Sequence, residues 1–118
     1  MTIGDAGNAY RQEVGWHVAR DRIETADGRT VVVLFGDVDM AREAELIALF
    51  SDAAGMGQPV VFDAAGVDFI DSTGLRVLLI AHKQCAEAGT MLAMRNVSSL
   101  LETVLEMSGI DGLIPRVS

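Results

Sequence analysis

Between Thr30 and Arg95 the chain switches twice from a short apolar, β-branched run to a segment with helical spacing and back again, and this alternation limits the fold more than any other feature. Thr30 to Phe35 reads as a strand. Val60, Val61 and Phe62 form a continuous apolar run of the kind covered on both faces of a sheet, which places it centrally. Thr90 to Arg95 reads as a third strand of this set. Between the first two, Leu46, Leu49, Phe50 and Ala53 fall on one face of a helix that Gly55 and Gly57 stop. Between the second and third, a long helix runs from about Ser72 to Ala88 and closes at Gly89. Parallel strands joined through helices take right-handed crossovers, so the pattern predicts an α/β fold with a mixed sheet packed against helices.

The flanks extend the same plan. Trp16 to Glu24 is rich in strand formers, and Asp27 and Gly28 supply the positive-φ chemistry of a tight hairpin into the Thr30 strand. Asp63 to Asp71 reads as a loop. Ser99 with Glu102 has capping-box spacing ahead of Leu101, Val104 and Leu105, and that last helix ends at Gly109. Residues 1–12 show no periodicity and are expected to be a flexible arm, leaving 13–118 as one domain, the number that 118 residues allow. Half the residues are hydrophobic and aromatics are few, so the core is built from Val, Leu, Ile and Ala, with Met91, Met94 and Met107 expected to fill gaps.

Charge narrows the partners. The net charge is -8 and Lys83 is the only lysine, so nucleic acid and anionic membrane surfaces are repelled at long range, whereas a protein with a basic docking face is attracted. The lone cysteine, Cys85, has no partner for an internal disulfide, and no apolar run reaches the ~20 residues of a membrane span. The start of the chain lacks the basic-then-apolar order of a secretory signal, so the expected location is the cytoplasm. No Walker loop, no nucleophile–base set and no His/Cys cluster appears, and the expectation is a binding domain with no cofactor and no metal.

The stretch richest in chemistry is Val60 to Leu79, in which a buried strand is followed by Asp71, Ser72, Thr73, Gly74 and Leu75 at the mouth of a helix. There the first backbone N–H groups lack intrahelical acceptors and the helix dipole is positive. A hydroxyl can cap these groups, and a phosphate can be accommodated. Gly74 is expected to keep the backbone around Ser72 open to a partner enzyme. Phosphorylation would add roughly -1.5 to -2 charges beside Asp71. Asp39, at the end of the Thr30 strand, would add a second carboxylate if it shares this edge. Each residue also has an ordinary role: Ser72 as a helix cap, Asp71 in loop solvation, Thr73 in a first-turn hydrogen bond, Asp39 as the start of the first helix.

These elements, in this order, resemble the STAS domain family and, within it, the small bacterial anti-sigma-factor antagonists. The resemblance rests on Gly36, Asp37, Val38 and Asp39 after an apolar strand, on Val60 to Asp63, on Val67 to Leu75, and on Val77 to Leu79. It continues through Leu92 to Val97 and Ser108 to Ile110, covering about residues 14–115. It implies a single-domain STAS fold, a mixed sheet of four to five strands against three to four helices. It also implies partner switching. The unmodified antagonist binds an anti-sigma factor with serine kinase activity and frees the sigma factor, the kinase phosphorylates the serine matching Ser72 and binding is lost, and a serine phosphatase restores it.

On this resemblance Asp39 and Asp71 match acidic positions near the acceptor, and Thr73 a second hydroxyl beside it. Together with Gly74 and Arg76 they make the expected partner-binding face. Asp37 stands where many relatives carry Glu. Arg76 stands where a small residue is common, giving a bulkier, more basic face able to pair with a phosphate or carboxylate. Two other readings compete: a structural STAS subunit in a stress-signalling scaffold or transporter complex, and a phosphoacceptor protein using Asp63, which lacks the acidic pair and strand lysine that chemistry needs. Cys85 is expected to be a core thiol on the same helical side as Leu75, Leu78 and Leu79, and Trp16 a packing residue.

Overall fold

The structure, a computed structural model, describes residues 21–118. The expected arm over residues 1–12 and the strand start at Trp16 therefore lie outside the described residues. Strand β1 (Arg22–Ala26) turns into β2 (Arg29–Val38). A 3-10 turn (Met40–Arg42) leads into α1 (Glu43–Ala54), followed by β3 (Val60–Ile70), α2 (Ser72–Glu87), β4 (Leu92–Arg95) and α3 (Ser99–Ser108). The four strands lie in the order β1-β2-β3-β4, with β1 antiparallel to β2 and the other pairs parallel. This is the expected mixed sheet. Asp27 at φ 55° and Gly28 at φ 75° make the hairpin turn, the two positive-φ positions that twist a two-residue loop to match its strands.

Alternation along the strands sorts the core. Val32, Leu34, Val60 and Phe62 point to the face where α1 contributes Leu46, Phe50 and Ala53, and Phe50 meets Phe62 edge-to-face with ring centroids 5.9 Å apart. From α2 the buried stripe is Val77, Leu78, Ala81 and Cys85 at helical spacing. Cys85 is buried as expected, and so is Leu78, but the other two leucines of the sequence-derived stripe are not, since Leu75 is half-buried and Leu79 exposed. Burial pushes the Cys85 thiol up, away from the reactive thiolate. Val31, Val33 and Val61 form a smaller cluster on the other face of the sheet. Of the three methionines expected inside, only Met94 is; Met91 precedes β4 and Met107 rides the outer side of α3, both exposed.

The loop expected from Asp63 to Asp71 is instead strand. β3 runs on to Ile70 because β2 also continues, pairing Phe35 with Gly66, Gly36 with Val67, Asp37 with Phe69 and Val38 with Ile70. Two register shifts, between Val33 and Phe35 and between Gly36 and Asp37, each place an extra residue in β3. These bulges break the two-residue alternation, so that adjacent Asp68 and Phe69 are both exposed. Bulged pairing leaves no apolar alternation, which is why the segment reads as a loop in one dimension.

Asp63 is buried in mid-strand. Its carboxylate accepts from Ala65 N at 3.0 Å, Arg95 Nε at 3.0 Å and Asn96 Nδ2 at 3.2 Å. Burial pushes this carboxyl up, but the three hydrogen bonds and the Arg95 charge outweigh it and hold the group below its ordinary range. At the far edge of the sheet the chain end pairs with β4, Met94 N donating to Pro115 O at 2.9 Å and Val117 N to Met94 O at 2.8 Å. Arg116 anchors that segment through Glu102 at 2.7 Å and Asp111 at 2.8 Å. The last helix is capped by Ser98, the extended residue before it, whose Oγ accepts from Leu101 N at 3.1 Å, one residue earlier than the Ser99–Glu102 spacing suggests, and Glu102 pairs with Arg116 instead.

Helix α2 meets the end of β2 closely. A methyl group at Gly74 would overlap the Val38 carbonyl oxygen and sit 2.5 Å from Ile70 Cγ1. Gly74 therefore serves packing, and being buried it does not open a surface to a partner as the sequence suggested. Gly74→Ala is expected to destabilise by about 2 kcal/mol, within the range for overpacking, read as a lower urea midpoint with unchanged slope. Asp63→Asn removes the charge that Arg95 and Asn96 donate to and is expected to cost about 2 kcal/mol near neutrality, the range for hydrogen bonds to a charged group. Because the folded-state acidity of Asp63 is strengthened, its stabilisation is present above the unfolded value of about 3.9 and fades as pH falls through the folded one. The gap between wild type and variant in urea unfolding should accordingly narrow below about pH 4.

Candidate functional site

Two parallel strands end together and deliver two carboxylates to one edge of the sheet. Val38 and Ile70 are register partners at the ends of β2 and β3, and Asp71 N donates to Val38 O at 3.3 Å. Asp39 and Asp71, the next residues on each strand, thus share the C-terminal edge, the condition the sequence left open for Asp39. Each has extended backbone and caps the turn that follows: Asp39 Oδ1 accepts from Ala41 N at 3.1 Å and Asp71 Oδ1 from Gly74 N at 2.8 Å.

This changes the role of Ser72. The cap of α2 is Asp71, because only the extended residue before the helix aims its side-chain oxygen back at the first-turn N–H groups. Ser72 is the first helical residue. It is exposed, and its hydroxyl makes no hydrogen bond among the described residues. Thr73 is half-buried behind it. Arg76, one turn further, is exposed and forms an ion pair with Glu43 of α1. Of the residues expected at this face, the structure brings Asp39, Asp71, Ser72 and Thr73 together, sets Arg76 beside α1, and buries Gly74.

Arg42 is a residue that no motif marked. Its guanidinium donates to Phe35 O and Asp37 O, both at 2.7 Å, and pairs with Asp21, whose other oxygen accepts from Phe35 N at 3.0 Å. It ties the start of β1, the end of β2 and the turn before α1 into one unit. It also has consequences for charge. Arg42 and Arg76 are engaged with carboxylates, so the surroundings of Ser72 are set by Asp71, Asp39 and the exposed Asp37 and Asp68, against the positive end of α2. The same edge carries two exposed apolar side chains that sequence periodicity missed, Met40 at 71% and Phe69 at 50% exposure.

Asp63 lies away from this edge, occupied by Arg95, Asn96 and Ala65, and offers no open oxygen for phosphoryl transfer. Among the described residues no group of His, Cys, Asp and Glu is placed to hold a metal ion, and no helix is long and apolar enough to cross a membrane.

A family profile described as "Mlab, STAS domain" matches residues 22–115. The chain is 30% identical over 94 residues to BtrV of Bordetella bronchiseptica, a protein named as an anti-sigma factor antagonist, covering 79% of this chain and 81% of that one. Among solved structures, the anti-sigma-factor antagonist (STAS) domain protein from Planctomyces limnophilus superposes with a TM-score of 0.73 at 24% identity, covering 86% of this chain and 92% of that one. The Bacillus cell fate determinant SpoIIAA in the phosphorylated form gives a TM-score of 0.62 at 20% identity, covering 83% and 91%. The paired strand ends, the capped helix behind them and these likenesses agree: the chain belongs to the STAS domain family, in its anti-sigma-factor antagonist group.

Proposed function

We propose that this chain is the antagonist in a partner switch. In its unphosphorylated form it binds an anti-sigma factor that has serine kinase activity and so frees the sigma factor; phosphorylation of Ser72 ends the binding, and a serine phosphatase restores it. Asp39, Asp71, Thr73 and Arg76 form the docking face around the acceptor. The exchange takes place in the cytoplasm, where sigma factors act.

The observation that carries this reading is the division of labour at the start of α2. Asp71 takes the cap, which leaves the Ser72 hydroxyl exposed and without a hydrogen bond among the described residues, at the positive end of a helix. A kinase can reach such a hydroxyl without unfolding the helix, and the modified residue keeps its place in the fold. A serine that accepts a phosphoryl group must face the nucleotide phosphates of the enzyme. Once phosphorylated, it sets a second dianion against them, next to the Asp71 and Asp39 carboxylates. A penalty of ~3 kcal/mol there lowers affinity by more than a hundredfold.

The relatives support the same reading in their own terms: BtrV is named as an anti-sigma factor antagonist, and SpoIIAA is known in both phosphorylated and unphosphorylated forms. A structural STAS subunit would share the fold but has no need of an open hydroxyl at this position.

Incubation with the cognate kinase and ATP is expected to add one phosphate, stable to acid as a phosphoserine is, and Ser72→Ala to abolish it while Thr73→Ala does not. The unmodified protein should capture the kinase, with affinity falling at least a hundredfold after phosphorylation. Label persisting in Ser72→Ala, or equal capture before and after modification, would overturn the switch.

A further inference from the structure

Just before Asp71, β3 forms one wall of a shallow, open apolar groove, and the start of α3 forms the other. Val67, Phe69 and Ile70 line it from the strand, and Leu100, Leu101 and Val104 from the helix. Helix α3 carries two apolar stripes. Leu101 and Leu105 are buried in the core and suffice to seat the helix, while Leu100, Val104 and Met107, at helical spacing on another side, run along the groove and beyond it. Leu100 is 60% exposed, Met107 82% and Phe69, turned outward by the bulges in β3, 50%. Val104 packs in part against the core, but folding does not account for the exposed Leu100 and Met107.

The chemistry of the groove selects what fits. Among the described residues its one charged lining residue is Asp68 and no lysine or arginine lines it, within a chain of net charge -8. The Leu100 to Met107 ridge runs about 10 Å, two turns of a helix lying alongside. We propose that the groove docks a basic amphipathic helix of the partner protein, its apolar side chains lying between Phe69 and Leu100 and its lysines or arginines reaching Asp68. This rests on the reading of the chain as a partner-binding antagonist and adds to it a second contact, next to Ser72 in the chain but made by different residues. The groove holds the partner while the Ser72 face decides whether it stays.

The test uses a labelled synthetic peptide of about five helical turns with leucines in an apolar stripe flanked by lysines, titrated into the unphosphorylated chain and read by fluorescence anisotropy. Two control peptides carry glutamates for the lysines, or a central proline. The basic helix is expected to bind, with Leu100→Ser and Phe69→Ser each weakening it about tenfold and Asp68→Asn flattening its salt dependence. Both controls should bind at least about tenfold more weakly. Leu100 and Phe69 are exposed, so unchanged urea midpoints would confirm that these variants fold, and Met107→Gln provides a third substitution outside the core. Equal binding by the serine variants, by the acidic peptide or by the proline peptide would overturn the proposal, the last pointing to an extended occupant. Peptide binding that persists in a chain the kinase never modifies would fail the Ser72 switch alone. Phosphate-sensitive kinase capture that is indifferent to Leu100→Ser and Phe69→Ser would fail the groove alone.

Discussion

The seating of α2 on the end of β2 is the contact on which the rest of the molecule turns. Val38 contributes its carbonyl oxygen twice, as acceptor for Asp71 N and as the surface against which Gly74 lies without a side chain between them. With the helix drawn in this far, Asp71 has the extended backbone that lets it cap, and Ser72 becomes the first residue of the helix. A larger residue at Gly74 would lift α2 off the strand, and the carboxylate pair Asp39 and Asp71 would separate with it. The chemistry of the edge thus depends on a packing distance in the interior.

A second set of interactions holds the edge from the other side. Arg42 is bonded to two carbonyl oxygens at the end of β2 and to Asp21, so that the turn carrying Asp39 is not left to the helix behind it. Deeper in the sheet, Asp63, Arg95 and Asn96 connect β3 to the end of β4, where the chain turns toward α3. Arg116 then fixes the chain end to α3 through Glu102. Each cation lies where irregular backbone must stay in register. Their common effect is a rigid frame around the exposed Ser72 hydroxyl, which makes no hydrogen bond among the described residues.

The face around Ser72 combines two kinds of surface that answer to different physics. Carboxylates dominate its polar part and respond to charge over several ångströms, strongly affected by salt and by an added phosphate. Phe69, Leu100 and Met40 make apolar surface that is indifferent to both. In the proposed switch, specificity and switching fall to the first and residence to the second.

The order of elements was legible in the residues because strands and helices write different periods into a sequence: the two-residue hairpin turn at Asp27 and Gly28, the apolar run at Val60, the helix over Ser72 to Glu87 and the glycine ending at Gly109 all follow from local chemistry. The candidate acceptor was legible too, as a serine among helix-opening residues. What the residues by themselves did not determine were the features made by neighbours distant in the chain. The continuation of β3 past Asp63 depends on bulged pairing with β2, and the choice of Asp71 over Ser72 as cap depends on where the strand stops. The purpose of Gly74 depends on a carbonyl thirty-six residues earlier, at Val38. Local propensity sets which elements form; register, burial and the side a residue faces are settled only when strands and helices meet, since those quantities are properties of pairs and not of single positions.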